Sequence, residues 1–570
     1  GILIKENHIM AAGGVAPALA QAGKLAPEGV FIQIEVETLE QLGEALAAGA
    51  KMILLDNMDL TQMRKAVALA ERDSDPVTPW PERFPALTVD DPHRPGTWRQ
   101  VEAQVQDPFE AQLSAKDPDT KVRLRMIRYP ATTPKRALCR TSGVHRFQAI
   151  LLINGFAQST LPFVAEELKR EQGHCNMASW LYEQGFEVWM LEYRISTILD
   201  ASKQASTMDE IAAYDIPIAV DRVLAQLRRD AGLAADAPAQ IYALAHCVGA
   251  ASLAMSLLGG HLHDPQRAYG KLAGVVFSQM QMYLVGSVSA QTRMPLSALA
   301  RDALGIDYFR LSATEGHATD LERALDSLFA SLPVDADQEC PHERSGLDPH
   351  LDTCTCKRMT GVISRVVHHA RILPETHEKF PIYFGRANTS LLVHGSRCVE
   401  NERLVNADGQ NVYVTEANIA RHLGIPIALL HGDENALFTV ESAKRTYDQL
   451  RRIHPQLHDR KLIRQIIAKE FAHFDCTIGK GRDMQVQVLD PLAEFSGADP
   501  SQAGGSFLVA IGEIQGDSQI LAGSRDLPLL VQRKAGSGWT AFVALDLSAA
   551  PFEGWSGTGA FWEALFVQKP

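Results

Sequence analysis

The 570-residue sequence is short of several features at once, and each shortage removes a class of protein. No apolar run reaches the roughly 20 residues of a membrane-crossing helix, and Gly1-Ile-Leu-Ile-Lys-Glu6 lacks the basic-then-apolar layout of a secretory leader. No basic block stands out. The 55 Lys and Arg are scattered among 68 Asp and Glu, giving a net charge of −13, which argues against a nucleic-acid partner. The Gly-x-Gly-x-x-Gly fingerprint is absent, so no dinucleotide or other cofactor is expected. Eight cysteines in so long a chain do not make a disulfide framework, and a cytoplasmic, reducing setting with free thiols is expected. What remains is an ordinary globular composition, 46% hydrophobic and 22% charged, enough for about two to four domains.

One stretch organises the rest. In Tyr242-Ala-Leu-Ala-His-Cys-Val-Gly-Ala-Ala251 an apolar strand stops abruptly and a small-residue helix begins. A strand turning sharply into a helix presents its apex side chain at the top of a sheet, beside backbone N–H groups able to receive an oxyanion. Here Cys247 takes the apex usually held by serine in Gly-x-Ser-x-Gly, Ala245 replaces the first glycine and Gly249 is kept. A thiol suffices as nucleophile when a base or a helix N-terminus lowers its pKa; on the motif alone a buried structural cysteine stays equally open.

The flanking order favours chemistry. Residues 121–128 alternate as a half-exposed strand, and 147–153 form a buried one ending in Asn154-Gly-Phe-Ala-Gln-Ser159, where the Phe156 N–H would join that of Val248 in an oxyanion hole. Further strands are expected at 185–194, 240–245 and 271–278, with a long helix at 209–227. Residues 279–423 lack a strand pattern and read as a helical cap, including apolar helices at 321–332 and 359–370. Within the cap, Cys340-Pro-His342 and Cys354-Thr-Cys356 are close enough in sequence for a metal site or a disulfide, but the spacing fits no zinc motif. An unligated loop, without metal, is expected there. The strand at 425–431 runs into Asp433, Glu434 and Asn435, three candidates for the residue that orients a catalytic histidine, with the two acids ranked ahead. His473 follows the next strand and is the expected base.

These motifs, with Glu192-Tyr-Arg194, Asp209-Glu-Ile-Ala-Ala-Tyr-Asp-Ile-Pro217 and Ala472-His-Phe-Asp-Cys476, resemble the α/β-hydrolase domain appended to bacterial cholesterol-oxidase-like flavoproteins of the glucose-methanol-choline family. The resemblance covers about residues 120–480 and implies an α/β-hydrolase acting on esters of sterols or other large lipids.

The ends read differently. Residues 1–70 alternate β and α, and Lys5, Glu35 and Asp56 fall near C-terminal strand ends, the substrate side of a β/α barrel. Leu3-Ile-Lys-Glu-Asn-His8, Ile34-Glu-Val-Glu37 and Leu54-Leu-Asp-Asn-Met58 closely resemble the quinolinate phosphoribosyltransferase (nicotinate-nucleotide pyrophosphorylase) family. The resemblance implies that Lys5 contacts a carboxylate or phosphate, and that Glu35 and Asp56 hold the ribose and its magnesium. The matching part is a barrel fragment, so no phosphoribosyl transfer is expected of it. Residues 71–120, rich in Pro, Asp and Arg, are expected to be a linker. Residues 481–570 form a small α/β fragment with strands at 506–512, 527–538 and 539–546, similar to the tail of a glutamine-amidotransferase-like domain. Three unrelated pieces suggest a composite chain, with poorly packed joins near 70 and 481.

The expectation as a whole is an α/β-hydrolase sheet with an inserted helical cap, flanked by a partial β/α barrel and a small α/β fragment. It would cleave bulky hydrophobic carboxylic esters or thioesters with a Cys247–His473–acid triad. The alternative is a catalytically silent binding module on the same fold, with Ala245 and Asn154 marking the departure. The partner is a small-molecule ester or lipid; the oligomeric state is not legible.

Overall fold

The structure is a computed structural model. It describes the chain apart from residues 28–29, 51, 60–61, 64–65, 67–80, 82, 92–96, 132–135, 139–142, 170–172, 265–268, 305, 312–354, 490–518, 524–527, 536–537 and 544–570. Two compact units are present, one comprising Gly1–Trp80 and the other nearly all of the remainder.

In the first unit β1 (Ile2–Ile4), β2 (Ile32–Val36) and β3 (Met52–Leu55) pair in parallel in that order, with helices Glu6–Ala12, Val15–Leu25 and Leu39–Ala47 between them. Thr38 starts the last helix, its side chain accepting from the Gln41 N–H at 3.1 Å, so one orphan donor is satisfied. Ile34, Val36, Leu42 and Ala45 form a small buried core.

The second unit begins where a linker was expected, and part of that stretch is built into strands. β4 (Leu87–Asp90) and β5 (Trp98–Val101) pair antiparallel, while β6 (Gln104–Val105) and β7 (Phe109–Gln112) both pair with β8 (Lys121–Tyr129). The period-two burial of Leu87 and Val89, and of Phe109 and Ala111, explains this. Runs so short are hidden between proline breakers.

The main sheet adds β9 (Arg136–Leu138), β10 (His145–Ile153), β11 (Glu187–Glu192), β12 (Ala239–His246), β15 (Leu272–Ser278), β18 (Ile427–Gly432) and β19 (Ile463–Ala468), while β13 (His263–Asp264) with β14 (Tyr269–Gly270), and β16 (Tyr308–Arg310) with β17 (Arg386–Asn388) in the cap, form separate two-stranded sheets. Its order is β19-β18-β15-β12-β10-β11-β8-β6, with β7 also on β8 and β9 on β10. From β11 to β19 the neighbours are parallel, and β8 runs against β11. The central strands carry continuous apolar stretches, such as Ala149–Ile153, Val188–Leu191 and Ala243–Ala245, because both faces are covered. Succession reverses at β10, with β11 on one side and β12 on the other. A crevice opens beyond the carboxyl ends of strands at such a switch point. This strand order, with a sharp turn after β12, is the α/β-hydrolase architecture.

Glu192-Tyr-Arg194 holds that crevice. Glu192 accepts from the Thr160 N–H at 2.8 Å and from its hydroxyl at 2.5 Å, and the Tyr193 hydroxyl donates to the Asn154 carbonyl at 2.6 Å. Arg194 forms a fully buried pair with Asp215 at 2.7 Å and donates to the carbonyls of Leu113 and Gln112. Asp215 lies in a π-helical turn, Ile211–Asp215, where one long helix was expected; helix Ile216–Asp230 follows. Pro217 has no N–H for the carbonyl four residues back, and the turn widens there.

Two further expectations change. Instead of a helix at 359–370 there is a helix at Thr355–Val362 and a 3-10 turn at His369–Arg371, and 321–332 falls outside the described residues. Near 481 the chain stays packed: Met484, Val488 and Leu489 are buried, and Gln487 accepts from the Lys469 N–H at 2.5 Å. The join near 70 lies outside the described residues, as does 506–512. At the C-terminal end β20 (Gln519–Gly523), β21 (Pro528–Ala535) and β22 (Gly538–Val543) form an antiparallel sheet. Among the described residues no helix is long and apolar enough to cross a membrane.

Removing one partner of a buried ion pair leaves an uncompensated charge, whereas replacing both by apolar residues is often tolerated. Arg194→Met is expected to lower unfolding free energy by about 3–5 kcal/mol. In urea titrations, the double variant Arg194→Met/Asp215→Leu should recover most of that loss.

Candidate functional site

Cys247 lies between β12 and the helix Val248–Leu258 with φ +55° and ψ −127°. A non-glycine residue in that region costs about 1–3 kcal/mol and persists only where the surroundings over-determine it. They do so here. The Cys247 N–H donates to the Ser278 carbonyl at 2.9 Å, and its carbonyl accepts from Ala250 and Ala251 at 2.9 and 3.1 Å. A Cβ on Gly249 would come within 2.4 Å of the Asn154 carbonyl oxygen, and one on Gly155 within 2.8 Å of the Cys247 Cβ. Both glycines are therefore dictated by the close approach of the loop after β10 to the turn after β12.

That approach brings the amides of Phe156 and Val248 toward one side chain. The backbone N–H groups of Phe156 and Val248 face the Cys247 thiol and favour its charged form. Burial pushes the thiol up to about 11, and the two amides offset only part of the rise. Cys247 is 5% exposed and neutral at pH 7.

His473 also lies in the core, its ring centroid 5.1 Å from that of His246 and 5.1 Å from that of Phe474. Neither of its ring nitrogens has a hydrogen-bond partner among the described residues, so no hydrogen bond joins it to Cys247. Burial holds its pKa well below the ordinary value, and the neighbouring His246 and His431 add to that. His246 is anchored through Nδ1 to the Ser278 hydroxyl at 3.1 Å, and His431 through Nε2 to the Phe438 carbonyl at 3.0 Å.

The three candidates for orienting His473 have separate surroundings. Asp433 is exposed and accepts from the Glu470 N–H at 2.6 Å. Glu434 pairs with Arg365 at 3.2 Å and faces His368 at 3.7 Å. The ranking of the two acids thus gains nothing from the geometry: each side chain is engaged by a group other than His473. Asn435 alone is buried; its Oδ1 accepts from Leu437 and Phe438, and its Nδ2 donates to Gln279 Oε1 at 2.9 Å. Gln279, absent from the sequence reading, has φ +71° and also accepts from the Gly432 N–H at 3.2 Å. Its only sequence signal is its place directly after β15, level with the elbow.

The cap touches the oxyanion loop directly. Gly385 N–H donates to the Ala157 carbonyl at 3.0 Å, Ser159 N–H to that of Tyr383 at 3.4 Å, and the Phe384 ring lies 4.8 Å from Phe474. Cys340, His342 and Cys354 fall outside the described residues. Cys356 instead sits with His369 and His377, a grouping the spacing did not reveal.

In the first unit Lys5 follows β1, Glu35 lies on β2 and Asp56 follows β3, so the parallel pairing brings all three to one end of the sheet. Lys5 and Glu35 pair at 3.4 Å; Asp56 accepts from Asn57 at 3.3 Å, and Asn57 also donates to Glu37 at 2.7 Å.

The elbow and strand order define a protein of the α/β-hydrolase fold with an added β/α unit. Comparison with known proteins bears on that added unit. The family described as quinolinate phosphoribosyl transferase, C-terminal domain, matches residues 1–78. A probable nicotinate-nucleotide pyrophosphorylase (carboxylating) of Bacillus subtilis is 51% identical over 57 residues, 10% of this chain and 20% of that protein. The solved structure of NadC from Streptococcus pyogenes is 46% identical over 12% of this chain and 25% of its own, with a TM-score of 0.12. The chain thus spans about a fifth of the length of the curated relative it matches. A soluble variant of monoglyceride lipase from Saccharomyces cerevisiae aligns with 69% of this chain and 94% of its own at 11% identity and a TM-score of 0.37. The fold assignment rests on the sheet order, not on that alignment.

The buried histidines give a pH signature. His246 is pushed down to about 3 and His431 to about 4 by burial, whereas an unfolded chain protonates each near 6.5. Their contribution to stability is intact above the unfolded value and is lost as pH falls through the folded one, at about 1.4 kcal/mol per pH unit for each histidine. Asp475, pushed up to about 7 by burial, acts in the opposite sense, its contribution being lost as pH rises. Between roughly pH 4 and 6, His246→Asn should flatten the slope of unfolding free energy against pH by about 1.4 kcal/mol per unit. Urea titrations across that range check it, and the slope is insensitive to the packing cost of the substitution.

Proposed function

We propose that the second unit hydrolyses carboxylic esters or thioesters, or transfers their acyl groups, with Cys247 as nucleophile. The observation that carries the reading is the convergence of the Phe156 and Val248 N–H groups on a cysteine held at positive φ after a central strand. Donors so placed stabilise the oxyanion that forms when sulfur adds to a carbonyl. Cys247 attacks the carbonyl carbon as His473 takes its proton. The tetrahedral intermediate collapses to an acyl thioester, and His473 returns the proton to the departing alcohol or thiol. Water, deprotonated by His473, then releases the acid and regenerates the thiol.

With the resting thiol up at about 11 and His473 depressed, the pair is neutral, and proton transfer belongs to the substrate-bound state. Of the three candidates Asn435 is favoured to orient His473, being the buried one, although each of the three would first have to leave a present partner. The aromatic contacts of the cap support a bulky, hydrophobic acyl or alcohol group, sterol esters and other large lipids included. A second reading attaches to the first unit: Lys5, Glu35 and Asp56 share one sheet end, so a phosphoribosyl-type ligand is its candidate, without transfer activity.

A p-nitrophenyl ester series from acetate to longer acyl chains separates hydrolysis from silent binding. Activity should rise toward octanoate and fall to the uncatalysed rate in Cys247→Ala. Wild-type activity equal to that control would establish the binding module, and a preference for acetate would remove the bulky-substrate claim. Alkylation of ligand-free Cys247 by iodoacetamide, mapped by peptide mass, should speed up about tenfold per pH unit from neutrality toward the thiol pKa. A pH-independent rate would mean a thiolate already present.

A further inference from the structure

We propose that Cys356, His369 and His377 bind a zinc ion that ties together the part of the cap hydrogen-bonded to the segment carrying His473. The three side chains come from three different elements: the helix Thr355–Val362, the turn His369–Arg371 and the helix Pro374–Glu378. Each offers one ligand atom, and these atoms lie within 4.8 Å of one another. Tetrahedral zinc with Zn–S of about 2.3 Å and Zn–N of about 2.0–2.1 Å needs ligand atoms roughly 3.3–3.6 Å apart. About an ångström of side-chain adjustment closes the site. Cys356 and His377 are buried, and the His369 and His377 rings are 5.0 Å apart between centroids.

The donor set selects the metal. One thiolate with two imidazoles is a borderline-soft set suited to zinc, whereas magnesium and calcium require oxygen ligands. Three protein ligands leave a fourth position for water. No acidic side chain belongs to the cluster, so the bound ion would carry a net charge of about +1, low enough for a mostly buried place.

The same segment is hydrogen-bonded to the chain that follows His473. The Phe474 N–H donates to the Val366 carbonyl at 2.8 Å, the His368 N–H to both Asp475 oxygens at 3.1 Å, and the Lys480 N–H to the Arg371 carbonyl at 2.9 Å. A run of ring contacts, His377 to Phe380, Phe384, Phe474 and His473 at 4.7, 5.1, 4.8 and 5.1 Å, joins the cluster to the candidate base. A metal tying 356, 369 and 377 together would thus stiffen the frame around His473. The metal site itself stands whether or not Cys247 is a nucleophile.

The test uses the full chain, stripped with a chelator and titrated with zinc or cobalt(II). Elemental analysis after desalting should find about one zinc per chain, with a higher melting temperature than the stripped protein. Cobalt should give tetrahedral visible bands and a thiolate-to-metal charge-transfer band in the near ultraviolet. Cys356→Ser should abolish the charge-transfer band, and His377→Gln and His369→Gln should each weaken zinc binding at least tenfold. His369 is the least buried of the three, so His369→Gln serves if the others fail to fold. Cys247→Ser should leave the spectrum unchanged. A wild-type chain without the cobalt band, or a band that survives Cys356→Ser, overturns the proposal.

Discussion

The architecture of the second unit depends on one close approach, that of the loop after β10 to the turn after β12. The margin is set by two missing side chains: a Cβ at Gly249 would meet the Asn154 carbonyl oxygen at 2.4 Å, and one at Gly155 would meet the Cys247 Cβ at 2.8 Å. Only with both absent can the Phe156 and Val248 amides share one sulfur. The parallel register of β10 with β12, Ile153 opposite Ala245, delivers both strand ends to the same level. The positive φ of Cys247 is the local cost of that meeting, and the hydrogen bond to Ser278 on β15 holds it.

A loop so placed carries polar groups that water cannot reach, so the protein must supply their partners. Glu192 holds Thr160, Tyr193 holds the Asn154 carbonyl, and Arg194 ties β7 to Asp215. Three consecutive residues beyond the middle of β11 therefore brace three parts of the chain far apart in sequence. Glu192-Tyr-Arg194 thus positions the loop through hydrogen bonds and one buried ion pair.

Much of this was legible. The strands of the main sheet, the elbow and the oxyanion loop are written in unbroken apolar runs that end at small or polar residues, a signal that survives tertiary context. The missed parts share a different character. Residues 87–112 read as linker because their strands are too short for periodicity to outweigh the prolines. The choice among Asp433, Glu434 and Asn435 turns on burial, which differs between adjacent residues of one turn and leaves no trace in spacing. The cluster of Cys356, His369 and His377 was hidden because its members stand 12 and 7 intervening residues apart on separate helices and turns, and only the chain reversal between them brings the ligand atoms within 4.8 Å.

Burial decides the chemistry available to the elbow. A thiol pushed up to about 11 beside an imidazole held well below its ordinary value cannot rest as an ion pair, since the proton favours sulfur by several powers of ten. On the proposed reading, electrostatic help would then arrive with the substrate: the carbonyl oxygen, once tetrahedral, would carry negative charge toward the Phe156 and Val248 amides, and that charge would in turn favour a protonated His473. A neutral Asn435 suits this arrangement less by charge than by place, because a buried carboxylate there would have to be desolvated beside the Gln279 carbonyl oxygen that now accepts from Asn435. The cap bears on the same balance. Its backbone pairs with the oxyanion loop at Ala157 and Ser159, and Phe384 packs on Phe474. Any substrate that parts the cap from the elbow also lets water in, unless its own apolar bulk replaces the aromatic surface it displaces. On the proposed reading, large hydrophobic groups would suit the site for an electrostatic reason as well as a steric one: they would keep the dielectric low while an oxyanion formed.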